Sequence, residues 1–186
     1  MSYLGMFAPW IVFGAVPDWR WAAMLALLTT VGVIARRTRS GDGPDALILE
    51  ISAVMFFGAV TAYALSAPDS SLKDWTGPAS QGWLALTSWV TLAIRQPFTL
   101  GIARRSTPRR FWNEPGFLRV NFVITSVWAT GLTLSAIGMA VVVIADMGTV
   151  ARLAVQLVGI SVPVFLTVRI QARTKAKAQA LMAAAG

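Results

Sequence analysis

The sequence predicts an all-α fold, an integral membrane bundle of five transmembrane helices plus a short N-terminal interfacial or re-entrant segment. Three observations predict it. The 186 residues are 56% hydrophobic and only 13% charged, where a soluble domain carries about 25% charge. Apolar runs of spanning length recur along the chain and are separated by turn residues. The Lys and Arg residues gather on alternate connections between those runs. A chain of this size has room for about five or six spans at ~20 residues each.

Residues 4–16 are apolar but number only thirteen, too few to cross the hydrocarbon core. Pro9 and Pro17 punctuate them, and no Lys or Arg precedes them as in a signal peptide. They read as the interfacial or re-entrant segment. One bent span over residues 7–35 is the alternative. It would bury Asp18 and Arg20 at high cost.

The first span is expected over residues 19–35, ending at Arg36, Arg37 and Arg39. Ser40-Gly41-Asp42-Gly43-Pro44 is a turn, and Asp45 is placed to cap the next helix. The second span covers 46–66 and the third 79–95. The fourth covers 121–145, and Asp146-Met147-Gly148 turns the chain into the fifth, 150–170. Residues 1–170 form one transmembrane domain. Residues 171–186 form a basic, Ala-rich cytoplasmic tail expected to continue as a helix along the membrane surface.

Five spans place the 36–39 turn, the 95–119 hairpin and the C-terminal stretch from Arg169 on one side. Together these hold 13 of the 16 Lys and Arg residues. The positive-inside rule makes that side cytoplasmic and the N-terminus external. Trp10, Trp19, Trp21, Trp75 and Trp83 then fall at the outer boundary, where amphipathic rings prefer to sit.

The stretch from Arg95 to Asn121 is the longest polar interruption and carries six Lys or Arg residues. If the third span ends at Arg95, Pro97 opens a short helix at no hydrogen-bonding cost. Phe98, Leu100 and Ile102 let that helix lie on the membrane. Arg104, Arg105, Arg109 and Arg110 then reach anionic lipid at ~1 kcal/mol each, with Trp112 as interfacial anchor. The same five residues form a candidate surface for lipid or a partner protein. A span kinked at Pro97 would instead bury Arg95.

Glu50 is the acidic residue placed well inside a span. Arg95 and Asn121 share its expected depth, so the three form a candidate polar cluster. It is either a packing device or an ion-linked site. Ser88, Thr91 and Arg95 line one face of the third span, and Asn121, Thr125 and Trp128 one face of the fourth. Gln156, Gly159, Pro163 and Thr167 do so on the fifth, and Gly131 and Ser135 form a small-xxx-small pair. Such stripes let helices approach and hydrogen-bond, and they can also line a cavity.

Composition removes several chemistries. The chain has no Cys and no His, so disulfides, thiol chemistry, His-ligated haem and the usual general base are impossible. A zinc site is not expected. No catalytic residue, metal or cofactor is expected. The net charge of +8 fits anionic lipid rather than nucleic acid.

The order of features resembles the intracellular septation protein A family, also called the inner membrane-spanning protein YciB family. The resemblance lies in a short apolar segment before an Arg-terminated span, the Arg95-Gln96-Pro97-Phe98 turn, Pro108 to Trp112, and a helix opening at Asn121 with Trp128 beyond. It covers most of the chain. It implies a non-enzymatic bacterial inner-membrane protein supporting envelope maintenance, septation or lipid handling through lipids and other envelope membrane proteins. The alternative is a small oligomeric transporter or channel with Glu50 and Arg95 near the permeation path.

Overall fold

The structure, a computed structural model, describes residues 4–185. It is all-helical, with no strand among the described residues. In order the α-helices are α1 (Leu4–Ala15), α2 (Trp19–Arg39), α3 (Ile48–Ser66), α4 (Thr76–Ala93), α5 (Phe98–Arg104), α6 (Pro115–Ile144) and α7 (Gly148–Ala185). Single 3₁₀ turns at Pro44–Ala46, Ser71–Trp75 and Arg109–Phe111 sit between them.

Three of these helices are long and apolar enough to cross a membrane: α3, α6 and, over Gly148–Ala176, α7. α2 has 21 residues and α4 has 18, or about 32 and 27 Å at 1.5 Å per residue. Their apolar character is diluted by Arg20, Arg36, Arg37 and Arg39 in α2, and by Gln81, Thr87, Ser88 and Thr91 in α4.

The helix ends follow local chemistry. The Asp18 carboxylate accepts from the Arg20 N–H at 2.9 Å and caps α2, satisfying one of the first-turn donors that lack partners. Asp45 does not cap α3. It lies in the Pro44–Ala46 turn, and α3 begins after Leu47 without a side-chain cap. α2, α4 and α6 close alike. After α2, Gly41 is left-handed (φ 84°) and the Asp42 N–H bonds the Arg37 carbonyl at 3.2 Å. After α4, Arg95 is left-handed (φ 59°) and the Gln96 N–H bonds the Thr91 carbonyl at 2.8 Å. After α6, Asp146 (φ 48°) and the Met147 N–H to Val142 carbonyl bond at 3.1 Å repeat the arrangement. These are Schellman closures, and Arg95 and Asp146 occupy them without glycine's freedom.

The helices pack as two groups. α2 and α3 lie against each other, while α6 packs between α4 and α7. α1 joins the groups. Its Trp10 touches both core clusters, one built on Ala53, Phe56 and Phe57, the other on Leu84, Ile124, Trp128 and Leu132. Phe7 stacks on Trp128 with ring centroids 5.3 Å apart, and Phe13 lies 5.2 Å from Phe57. The N-terminal segment is therefore wedged into the bundle by its aromatic side chains, not laid apart from it.

Polar side chains stitch the same surfaces. The Trp83 indole N–H donates to Ser52 Oγ at 2.8 Å, and Ser52 shares a 2.6 Å hydrogen bond with Thr87. Trp89 donates to Thr133, and Trp128 to Thr167, each at 3.1 Å. Small residues set the α6–α7 approach. A Cβ on Gly159 would lie 2.7 Å from the Ser135 Cβ, and one on Gly131 would lie 2.5 Å from Pro163 Cγ. The small-residue stripes are thus packing contacts here.

One further difference from expectation has a physical cause. α5 does not lie on the membrane: Phe98, Thr99, Leu100 and Gly101 are buried against α6 and the Pro44–Ala46 turn. Gly101 permits this, because a Cβ there would meet the Asp45 carbonyl oxygen at 2.5 Å. The tail is helical and continuous with the fifth apolar run. α7 runs on to Ala185, since the Ala-, Lys- and Gln-rich tail has strong helix propensity.

Candidate functional site

At the basic end of the bundle, acids and arginines neutralise one another. Arg37 is buried, and so is Glu50 beside it in α3; the two form an ion pair. Arg37 also reaches Asp42 at 3.1 Å and donates to the Ala46 carbonyl at 2.6 Å. Arg105 pairs with Asp42, and Arg104 with Asp45 at 3.0 Å. Three acids and three arginines thereby tie the α2–α3 turn to the end of α5. Burial, and secondarily the nearby Arg37, pull the Arg105 guanidinium below its ordinary range, though it remains charged at any physiological pH.

This corrects the expected cluster of Glu50, Arg95 and Asn121. Arg95 is exposed, because the left-handed closure of α4 turns it out of the bundle. Asn121 is buried, but its side-chain Nδ2–H donates to the Phe117 carbonyl at 2.9 Å on its own helix, and its backbone carbonyl accepts from the Thr99 hydroxyl at 3.1 Å. The partner of Glu50 is Arg37. In the sequence Arg37 reads as one of three interfacial arginines, although it lies thirteen positions before Glu50 across a tight turn.

The hairpin arginines divide. Arg104 and Arg105 are held by acids. Arg109 and Arg110 are exposed and lie over aromatic rings, 5.7 Å from the Trp112 centroid and 4.6 Å from that of Phe111. The Trp112 indole N–H donates to the Thr107 carbonyl at 2.9 Å, so the ring closes the hairpin as well as offering a face to cations.

A feature that could hold a ligand lies elsewhere. A cavity of about 1180 Å³ runs between α1, α4, α5, α6 and α7. Its middle is aromatic and aliphatic, with Phe7, Trp10, Trp128 and Leu132. Towards the basic end it meets Thr99, Asn121 and Thr167. Towards the opposite end it meets Gln81, Gln156 and Arg152, and then Asp18 and Arg20 at the mouth. On α6 it reaches from Asn121 to Val143, about 33 Å along the helix axis. Neither Glu50 nor Arg95 lines it. The Asp18 carboxylate at the mouth is held at a pKa of about 2, chiefly by the side-chain hydrogen bond from Arg20.

The stripe of Gln156 and Thr167 on α7 does face this cavity, as do Asn121 and Trp128 on α6. No sequence signal named Gln81, Arg152 or Phe7 as neighbours, because that depends on how α1 and α7 straddle α6. Among known proteins, no family model, curated protein or solved structure matches the chain. No group of metal-ligating side chains occurs among the described residues.

Proposed function

We propose that the chain is a five-span membrane protein that holds an amphiphile in the cavity between α1, α4, α6 and α7, and that it serves lipid handling in a bacterial inner membrane. The observation that carries this reading is the cavity. It exceeds the ~300–1,000 Å³ of ordinary small-molecule sites, and its length matches a hydrocarbon core of ~30 Å. An apolar middle with polar groups at both ends suits a molecule with a chain and a headgroup. α2 and α4 cross the membrane beside the three more apolar helices. The basic connections and the tail face the cytoplasm, where exposed Arg109 and Arg110 with Trp112 meet anionic lipid or another envelope membrane protein. The resemblance to the septation protein family rests on Pro97, Trp112 and Asn121. It supplies the setting, envelope maintenance without catalysis.

A second reading, a small oligomeric transporter, is favoured by the cavity's reach from one end of the bundle to the other. Its path would be lined by Gln81, Asn121 and Gln156, not by Glu50 and Arg95.

Native mass spectrometry of the full chain, extracted from membranes in mild detergent, tests the leading reading. One amphiphile per chain is expected on the wild type. Leu132→Trp, which fills the cavity, should lose it; Ile137→Trp, on an exposed face of the same helix, should keep it. A wild type that carries no bound molecule under conditions that preserve the fold overturns the reading.

A further inference from the structure

We infer that the end of the cavity opposite the basic hairpin is a phosphate-headgroup site built from Arg152, Gln156 and Gln81. This rests on the amphiphile reading and adds which end the headgroup occupies and what it must be.

Gln81 is the first observation. It is only 6% exposed, it lines the cavity, and its side-chain oxygen is buried without a hydrogen-bond partner. Turning the amide over would leave an N–H in the same place, so either orientation leaves a polar end that needs a partner. Burying such a group unsatisfied costs about 1–3 kcal/mol. A ligand atom in the cavity removes that cost.

Arg152 is the second and independent observation. It too lines the cavity, and its Nε is buried without a partner. Among the described residues it joins no ion pair. The other charges that line the cavity at this end are Asp18, Arg20, Asp69, Lys73 and Asp74. Asp18 and Arg20 are paired at 2.6 Å, and Asp69 lies near Arg20. Lys73 and Arg152 are therefore the lining cations here that join no ion pair among the described residues; Lys73 is exposed, and Arg152 is the one with a buried donor lacking a partner.

Helix contacts set the three residues at neighbouring depths along the cavity they line. A Cβ on Gly82 would touch Ala136, and Gly159 opposes Ser135 as Val155 opposes Gly138. That register places Gln81 level with Gln156 across α6. Gln156 Nε2 lies 4.0 Å from the Cβ position of Gly14 on α1, so α1 bounds the same space. Arg152 lies one turn further out on the same face of α7, about 6 Å along the axis.

A guanidinium with a carboxamide a turn below is a donor set for a phosphate. The arginine fork bonds two oxygens, and an amide N–H can take a third. Such bonds are strengthened where water is excluded. The aromatic middle of the cavity then takes the chain, pointing towards Trp128 and Leu132. A phosphodiester amphiphile offers both parts; free phosphate offers only the first.

The test uses the purified full-length protein in an uncharged detergent and a short-chain phosphatidylglycerol as probe, read by native mass spectrometry and isothermal titration. The expected result is 1:1 binding. Arg152→Gln should weaken it about tenfold or more, and Gln81→Leu should weaken it by several-fold. Arg169→Gln, an exposed cation on the same helix, should leave it unchanged. Diacylglycerol of the same chain length should bind at least tenfold more weakly, and inorganic phosphate should not compete. Equal losses from Arg152→Gln and Arg169→Gln would reduce the effect to surface charge and overturn the proposal. Competition by inorganic phosphate would overturn the lipid as its source. If diacylglycerol binds as tightly and Leu132→Trp abolishes it, the headgroup site fails while the amphiphile reading stands. If neither amphiphile binds, both fail.

Discussion

Glu50 and Arg37 form an ion pair across the turn between α2 and α3, and only 2% and 6% of their side-chain surfaces are exposed. Removing one partner from such a pair leaves an uncompensated buried charge, which costs about 3–5 kcal/mol. Arg37→Met is expected to destabilise by that amount. Glu50→Gln should cost less than Arg37→Met, because Arg37 retains Asp42. The double variant should be more stable than Arg37→Met alone. Unfolding of the full chain in detergent measures all three, and additive losses would contradict the pairing.

Arg95 closes α4 in a left-handed conformation that costs a non-glycine residue about 1 kcal/mol. Arg95→Gly is therefore expected to raise stability by about that much and to leave ligand binding unchanged. A fall in stability would mean that the Arg95 side chain makes contacts that matter.

Gly101 lets α5 touch the Pro44–Ala46 turn. Gly101→Ala would press a methyl group on backbone atoms, so a loss of about 1–3 kcal/mol is expected. Gly32→Ala, where nothing lies within 4 Å of the new Cβ, should be neutral or slightly stabilising because alanine favours helix. Thermal unfolding of the two variants side by side checks the contrast.

The hairpin arginines should separate by function. Arg109→Gln with Arg110→Gln should lower the anionic lipid retained per chain, at about 1 kcal/mol for each charge, without changing the unfolding midpoint. Arg104→Gln should leave lipid retention nearly unchanged and cost about 0.2–1 kcal/mol of stability, since its partner Asp45 is half-exposed. Quantifying co-purified lipid alongside the melting curve distinguishes the pairs.

Asp18 should stay ionised well below the usual carboxylate range. Its folded pKa of about 2 lies under the ordinary 3.8. Its contribution to stability is therefore complete above about pH 4 and is lost as pH falls through about 2. Carboxyl NMR of the labelled protein would show Asp18 titrating near pH 2.

Much of the architecture is legible in the sequence because it rests on local chemistry. The ends of α2 and α4, the break at Pro17 and Asp18, and the short helix after Pro97 follow from capping, turn residues and apolar length. The site is less legible. Glu50 stands out as a buried acid, but its partner depends on the α2–α3 turn bringing Arg37 round, and helix depth alone points to Arg95. Gln156 and Thr167 are visible as a stripe, whereas Gln81 and Arg152 become neighbours only through the packing of α4 and α7 on α6. Phe7 looks interfacial because nothing in a thirteen-residue apolar run announces a stack with Trp128.

The absence of cysteine gives a clean background for topology. Single cysteines at Gly41, Arg109 and Thr174 should label from the cytoplasmic side, and those at Ser70 and Asp146 from the other. Labelling of position 41 and position 70 from the same side would remove α3 as a span.

The most direct test of the central claim is photocrosslinking from inside the cavity in native membranes. A diazirine-bearing leucine analogue at position 132 faces the cavity, and one at position 137 faces outward, where the native Ile137 is 57% exposed. The account predicts that position 132 captures one amphiphile species at discrete mass, while position 137 captures the mixed lipids of the membrane. Capture of the same lipid mixture at both positions, or of protein alone at position 132, would contradict it.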